Sequence, residues 1–244
     1  MEEIKKNENK LTFAELEQFV NADWGYGGTL LYRAVDLDDI MLVKQCIQLN
    51  AEVNKIDSDA CSALFYCKSL EIAKFLVDNG IDVNILNQDG ETAVVNLYYR
   101  RKNSDIINYL AGITNLDLES GKNDSSTLLD KMITNQEENL SLYKIVIPRT
   151  KNINRIDDYS RSYLMNAVQH KKNLEVIKML IESGIDLYMR DEDEKNFYDL
   201  ALKYVKKEIR KNYPEFMKRK AMTDQQRQRF DKLKNLNSIS NCED

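Results

Sequence analysis

Apolar residues in this chain come in paired bursts with helical spacing, and the pairs repeat. Leu31 and Ala34 lie about one turn apart, and after the polar break at Asp38-Asp39 come Leu42, Val43, Cys46 and Ile47. Positions three and four apart share one face of a helix, so this spacing predicts two antiparallel helices joined by a short polar turn. The plan returns with Leu164 and Ala167, followed by the run Leu174 to Ile181. Each unit opens on a hydroxyl or amide residue followed by apolar positions: Thr29, Ser62, Thr92, Thr127, Ser162 and Asn196, at intervals of 33, 30, 35, 35 and 34 residues. A period in this range marks stacked supersecondary units. One helix pair cannot bury its apolar face alone, so each pair must lie against the next.

The polar positions predict where each unit begins and ends. The head residue of each unit is placed to cap the first helix, its side-chain oxygen accepting from an orphaned backbone N–H. Asn50, Asn79-Gly80 and Gly184 follow the second helices, where a left-handed turn is needed. Val53-Asn54, Val83-Asn84, Leu116-Asp117 and Ile153-Asn154 then begin a hairpin leading to the next unit. The second unit is short between Cys67 and Ile72, so its first helix or loop must be curtailed, and Pro148 should end the second helix of the fourth unit. Thr12 with Glu15, and Leu11 with Leu16, predict a capped and stapled helix over about Phe13 to Val20. Asn196 should start a helix that runs past Tyr204.

These units resemble the ankyrin repeat, whose pattern runs Asp-x-x-Gly-x-Thr-Pro-Leu-His-x-Ala, then Gly-x-Leu-Glu-Ile-Val-x-x-Leu-Leu, then Gly-Ala-Asp-Val-Asn. The resemblance is carried by Thr29-Leu30-Leu31-Tyr32-Arg33-Ala34, Asn173-Leu174-Glu175-Val176-Ile177 and Gly184-Ile185-Asp186-Leu187, among others. The pattern's Pro is replaced throughout, by Leu30, Ala63, Ala93, Leu128, Tyr163 and Phe197. Its His becomes Tyr32, Phe65, Val95, Asp130, Met165 and Asp199. The resemblance implies an all-α ankyrin-repeat solenoid of about six units with hairpin-like loops. The array would occupy residues 24–205, between a charged tail and capping helix at 1–23 and a basic helical extension at 206–244.

Composition narrows the function. The chain has 244 residues, 43% of them hydrophobic, and a net charge of −5. No stretch approaches the roughly 20 apolar residues of a membrane span. Met1 to Lys6 contains no apolar segment, so a cytoplasmic location is expected, in the producing cell or in a host if the protein is exported. There is no phosphate-binding glycine loop and no nucleophile elbow; Trp24-Gly25-Tyr26-Gly27-Gly28 stands where the repeat's turn belongs. Cys46 and Cys67 fall at core positions, Cys61 falls on a hairpin tip, and the single His170 lies in a polar loop. Cys61 and Cys67 could supply only half of a zinc site. Neither catalysis nor a cofactor nor a metal is expected.

Binding is the remaining expectation. In the ankyrin family partners dock on the concave side, made of hairpin tips and first helices. Carried onto this chain, that side comprises Trp24, Tyr26, Asp59, Asp89, Glu91, Tyr99, Arg100, Asp124, Asp158, Tyr159, Arg161, Glu192 and Asp193. Acidic residues dominate this set and suggest a basic protein partner met by a chain that is monomeric when free. Within that class an immunity protein inhibiting a basic toxin, or an effector acting on host proteins, fits equally. A separate feature is the charge split: residues 203–234 carry twelve Lys or Arg against four Asp or Glu, while residues 1–202 carry 23 against 34. The basic segment reads as a solvated capping extension, as a surface for nucleic acid or an anionic membrane, or as a dock for an acidic partner.

Overall fold

The computed structural model describes residues 19–100, 104–119, 127–135 and 139–220. The expected capping helix at 13–20 lies almost wholly outside them, as does Asp124. The chain divides into two compact units, one ending at Asn152 and the other beginning at Ile153.

In the first unit the helices are α1 (Leu30–Asp36), α2 (Ile40–Gln48), a 3-10 helix (Ala63–Tyr66), α3 (Leu70–Asp78), α4 (Ala93–Arg100), α5 (Ser104–Ala111), α6 (Leu128–Thr134) and α7 (Leu140–Val146). They form two layers in chain order. The first helices of the repeats stack as α1 on the 3-10 helix, the 3-10 helix on α4, and α4 on α6. The second helices stack as α2 on α3, α3 on α5, and α5 on α7. Between the layers runs a strip of fully buried side chains that includes Leu31, Val43, Cys46, Cys67, Ile72, Leu76, Ile106 and Leu142. The shortened second repeat keeps its place because a single 3-10 turn replaces the first helix. Pro148 lies in a 3-10 turn (Ile147–Arg149) that follows directly on α7, as its missing N–H and fixed φ require.

The second unit contains α8 (Tyr163–Gln169), α9 (Leu174–Glu182), α10 (Phe197–Leu200) and α11 (Lys203–Asn212), with α8 packed on α9 and α10. A further helical stretch covers 214–220. The helix begun at Asn196 does not run on past Tyr204. It stops after four residues, where Ala201 and Leu202 turn extended, and α11 starts anew. The break lets Val205 and Ile209 of α11 be buried alongside Phe197 and Tyr198.

Asparagine side chains bind each repeat to the next. Asn54 Nδ2 donates to the Gly80 carbonyl (3.1 Å) while its Oδ1 accepts from Asp82 N–H (2.6 Å). Asn84 does the same to Asn115 and Asp117, and Asn21 to Asn50 and Glu52. In the second unit Asn154 Oδ1 accepts from Asp186 N–H. One amide per repeat thus satisfies a donor and an acceptor that the loop geometry leaves open.

The head residues divide into two groups. Thr127, Ser162 and Asn196 cap their helices, accepting from the N–H groups of Asp130, Met165 and Asp199. Thr29 and Ser62 make no such bond, and the buried hydroxyls of Ser62 and Thr92 have no hydrogen-bond partner. Capping therefore fails in the first three repeats. A buried, unpaired hydroxyl costs about 1–3 kcal/mol in lost hydration. Thr92→Val keeps the shape and removes that penalty, so it should raise stability by about 1 kcal/mol. Urea denaturation measures this, and a loss of stability would mean that the hydroxyl is satisfied in solution.

Candidate functional site: the hairpin tips

Every described hairpin tip is built by one acidic or amide side chain folded back on its own loop. Asp57 Oδ1 accepts from the N–H groups of Asp59 and Cys61, both at 2.9 Å. Asn87 accepts from Asp89 and Glu91, Asp157 from Tyr159 and Arg161, and Asp191 from Asp193 and Lys195. The fourth residue of each loop is left-handed: Ala60, Gly90, Ser160 and Glu194. Backbone closure is local, with single bridges Leu86–Thr92 and Ile156–Ser162 in place of strand ladders. These Asx residues stand five positions before Ser62, Thr92, Ser162 and Asn196. That fixed spacing is the sequence signal for the residues that organise the tips.

The first loop follows the same design with one extra residue. Asp23 Oδ1 accepts from Gly25 and Gly27 N–H, and Gly25, Tyr26 and Gly27 are all left-handed. The loop leans on its neighbour: the Tyr26 carbonyl accepts from Ser58 N–H at 2.7 Å, and a side chain at Gly27 would meet the Asp57 backbone at 3.0 Å. This holds the Tyr26 side chain outward, 90% exposed.

In the first unit Trp24, Tyr26, Asp59, Asp89, Tyr99 and Arg100 are exposed. Trp24 packs edge-on against Phe19 and donates its indole N–H to the Phe19 carbonyl. A groove of about 560 Å³ is lined by Trp24, Tyr26, Tyr32, Arg33, Asp36 and Tyr66, with others. A smaller recess of about 200 Å³ brings Asp59, Asp89 and Arg100 together over Tyr66 and Asn96. Glu91 is only partly exposed; it pairs with Lys131 (3.3 Å) and accepts from Asn96 Nδ2, so it is a strut between repeats. Lys131 also lies 5.3 Å from the centre of the Tyr99 ring.

In the second unit Asp158, Tyr159, Glu192 and Asp193 are exposed. Asp193 pairs with Lys195 at 3.1 Å. Arg161 is half-buried, 4.0 Å from the buried Asp191 carboxylate and stacked 5.2 Å from the Tyr159 ring centre. Among the described residues its Nε makes no hydrogen bond, so the link between the two neighbouring tips is through charge alone. Among the described residues, no cation lies within 4.0 Å of Asp59, Asp89, Asp158 or Glu192, which leaves these four carboxylates open to a partner.

Cys61 is buried at the base of its loop and not displayed on it, because its N–H and carbonyl close the turn. Burial, then the charges of Asp57 and Asp59, push its thiol up to about 11, so it stays protonated and a poor nucleophile at neutral pH. Tyr66 donates its O–H to Asp57 Oδ2 (2.5 Å), and burial together with that bond pushes its pKa well upward. Among the described residues no group of three or more His, Cys, Asp or Glu could hold a metal, and no helix is long and apolar enough to cross a membrane.

No protein-family model matches the chain. It is similar to an ankyrin repeat protein of Vaccinia virus, 36% identical over 60 residues, a stretch covering 23% of this chain and 10% of the viral protein. An ankyrin repeat-containing protein of Schizosaccharomyces pombe is 29% identical over 115 residues, covering 46% of this chain and 56% of the yeast one. The chain thus spans a tenth to about half the length of these relatives. Among solved structures, a chain from the complex of a Bdellovibrio bacteriovorus predatory endopeptidase with an immunity protein superposes with a TM-score of 0.56 at 22% identity. That match covers 71% of this chain and 91% of the other.

Proposed function

Because this chain is an ankyrin-repeat protein, we propose that it acts without catalysis as a protein-binding module, holding a basic partner against its hairpin tips and first helices. The observation that carries this reading is made in each unit by itself: Asp59 and Asp89 in the first, and Asp158 and Glu192 in the second, stand on Asx-turned tips with no described cation within 4.0 Å. A loop backbone already closed by an Asx turn leaves less ordering to be done on binding. Exposed Trp24, Tyr26, Tyr99 and Tyr159 add residue types that dominate binding energy at interfaces. Likeness to a chain of the endopeptidase–immunity complex supports an inhibitory form of the same reading, in which the partner is a basic toxin.

Joint substitution Asp59→Lys, Asp89→Lys and Asp158→Lys tests the proposal. Proteins captured from the native cell by the wild-type chain and identified by mass spectrometry should be bound at least about tenfold more weakly by the variant, mainly through a slower association rate. Capture that is unchanged by the substitution removes the acidic tips from the interface. A basic toxin encoded beside the chain's gene, inhibited by the wild type and not by the variant, would establish the inhibitory form.

A further inference from the structure

The second unit carries a dense set of cations, of which only some are tied into the fold. Residues 203–220 hold eight Lys or Arg and only two acids, Glu208 and Glu215. Their apolar positions are consumed internally: Val205, Ile209 and Phe216 are buried. Lys203, Lys207 and Lys211 are exposed on α11, while Lys206 is half-buried and donates to the Asp199 carbonyl (3.1 Å) and Arg210 donates to the Tyr198 hydroxyl (2.6 Å); among the described residues no carboxylate lies within 4.0 Å of any of the five. Glu208 faces Asn212, whose amide it accepts, and Glu215 pairs with Lys218.

Helix stabilisation accounts for part of this set. Arg210 and Lys211 sit in the last turn of α11, where the helix dipole favours cations. Lys203, Lys206 and Lys207 sit in its first half, where the dipole disfavours them. The pairs Lys203–Lys207, Lys206–Arg210 and Lys207–Lys211 are also like charges four residues apart, a destabilising spacing. The cations converge further at Tyr198. Lys206 Nζ, Arg210 Cζ and Lys220 Nζ stand 5.6, 5.9 and 5.9 Å from its ring centre, with Asp199 the one carboxylate paired there, to Lys220. The exposed row Lys203, Lys207 and Lys211 has no carboxylate within 4.0 Å among the described residues, and its mutual repulsion would be relieved by an external polyanion.

We propose that this outer face of α11 binds single-stranded nucleic acid. The row Lys203, Lys207, Lys211 advances about 6 Å per step along the helix, which sets its cations in line to follow one phosphate backbone. Between the first two lies Tyr204, half exposed and available for a base to stack on. A bilayer fits less well, because the apolar face of α11 is already buried in the fold and cannot insert.

Fluorescence anisotropy of the full chain with a labelled mixed-sequence single-stranded oligonucleotide tests this. Binding at 50 mM salt should weaken roughly a hundredfold at 200 mM, the slope for about five neutralised phosphates. Joint substitution Lys203→Gln, Lys207→Gln and Lys211→Gln should weaken binding at 50 mM salt about tenfold or more and cut that salt loss to under roughly tenfold. Tyr204→Ala should cost roughly fivefold and leave the salt dependence intact. Unchanged melting of the variants separates lost contacts from lost folding. No binding at 50 mM salt, unchanged binding by the triple variant, or equal binding of poly-glutamate or of phosphatidylserine vesicles overturns the proposal.

Discussion

Replacing Arg149 with alanine is expected to destabilise the first unit by about 3 kcal/mol, although no sequence motif points to this residue. Its guanidinium donates to the carbonyls of Ala111, Ile113, Thr114 and Leu116, more than thirty residues away in the chain. These carbonyls belong to the end of α5 and the loop behind it. The last carbonyls of a helix have no partner within it and carry the negative end of its dipole. One planar cation satisfies the whole group. Each hydrogen bond to a charged donor contributes about 1.5–3 kcal/mol when buried, but Arg149 is partly exposed, so the joint figure stays well below the sum. Lysine offers a point charge and not a fork, and Arg149→Lys should recover less than half of the loss. Urea unfolding followed by circular dichroism reads both variants. A loss under about 1 kcal/mol for Arg149→Ala would show that water replaces the guanidinium at little cost.

Asp57→Ala should cost about 2–3 kcal/mol and loosen the tip that displays Asp59. Three bonds converge on this carboxylate, two from its own loop and one from Tyr66. Asp57→Asn should cost only about 1 kcal/mol, since an amide oxygen can still hold the loop. Asn87 already does so in the next repeat, accepting from Asp89 at 3.0 Å and Glu91 at 2.9 Å. Amide hydrogen exchange at Asp59 and Cys61 separates the cases: protection should vanish in the alanine variant and persist in the asparagine one. Persistent protection in both would mean that the neighbouring loops, not Asp57, hold the tip. Binding should follow the same order, because a mobile Asp59 must be ordered before it can pair with a partner.

The repeat architecture was legible because it depends on periodicity. Leu31, Val43, Cys46, Ile72 and Leu76 are buried where a helix pair of this length must turn its apolar face. Asn50, Gly80 and Gly184 adopt the left-handed conformation that the end of a second helix demands. The curtailed second repeat and the stop at Pro148 are equally local, set by deletion and by ring geometry. Exposure of Tyr26, Asp59, Asp89 and Tyr159 followed from their place in the repeat.

What the sequence could not determine is which polar groups meet one another, since that depends on distances across repeats. By position alone Thr29, Ser62 and Thr92 look like helix caps as good as Thr127, yet they make no capping bond. By charge alone Glu91 and Arg161 resemble free contact residues, yet stacking brings Lys131 to one and Asp191 to the other. The chain itself determined the period, the buried strip and the turn positions, because these arise from steric and apolar preferences within a few dozen residues. Only the tertiary structure decided which carboxylates stay open and which are struts, because an ion pair forms only where packing brings its two charges to within about 4 Å.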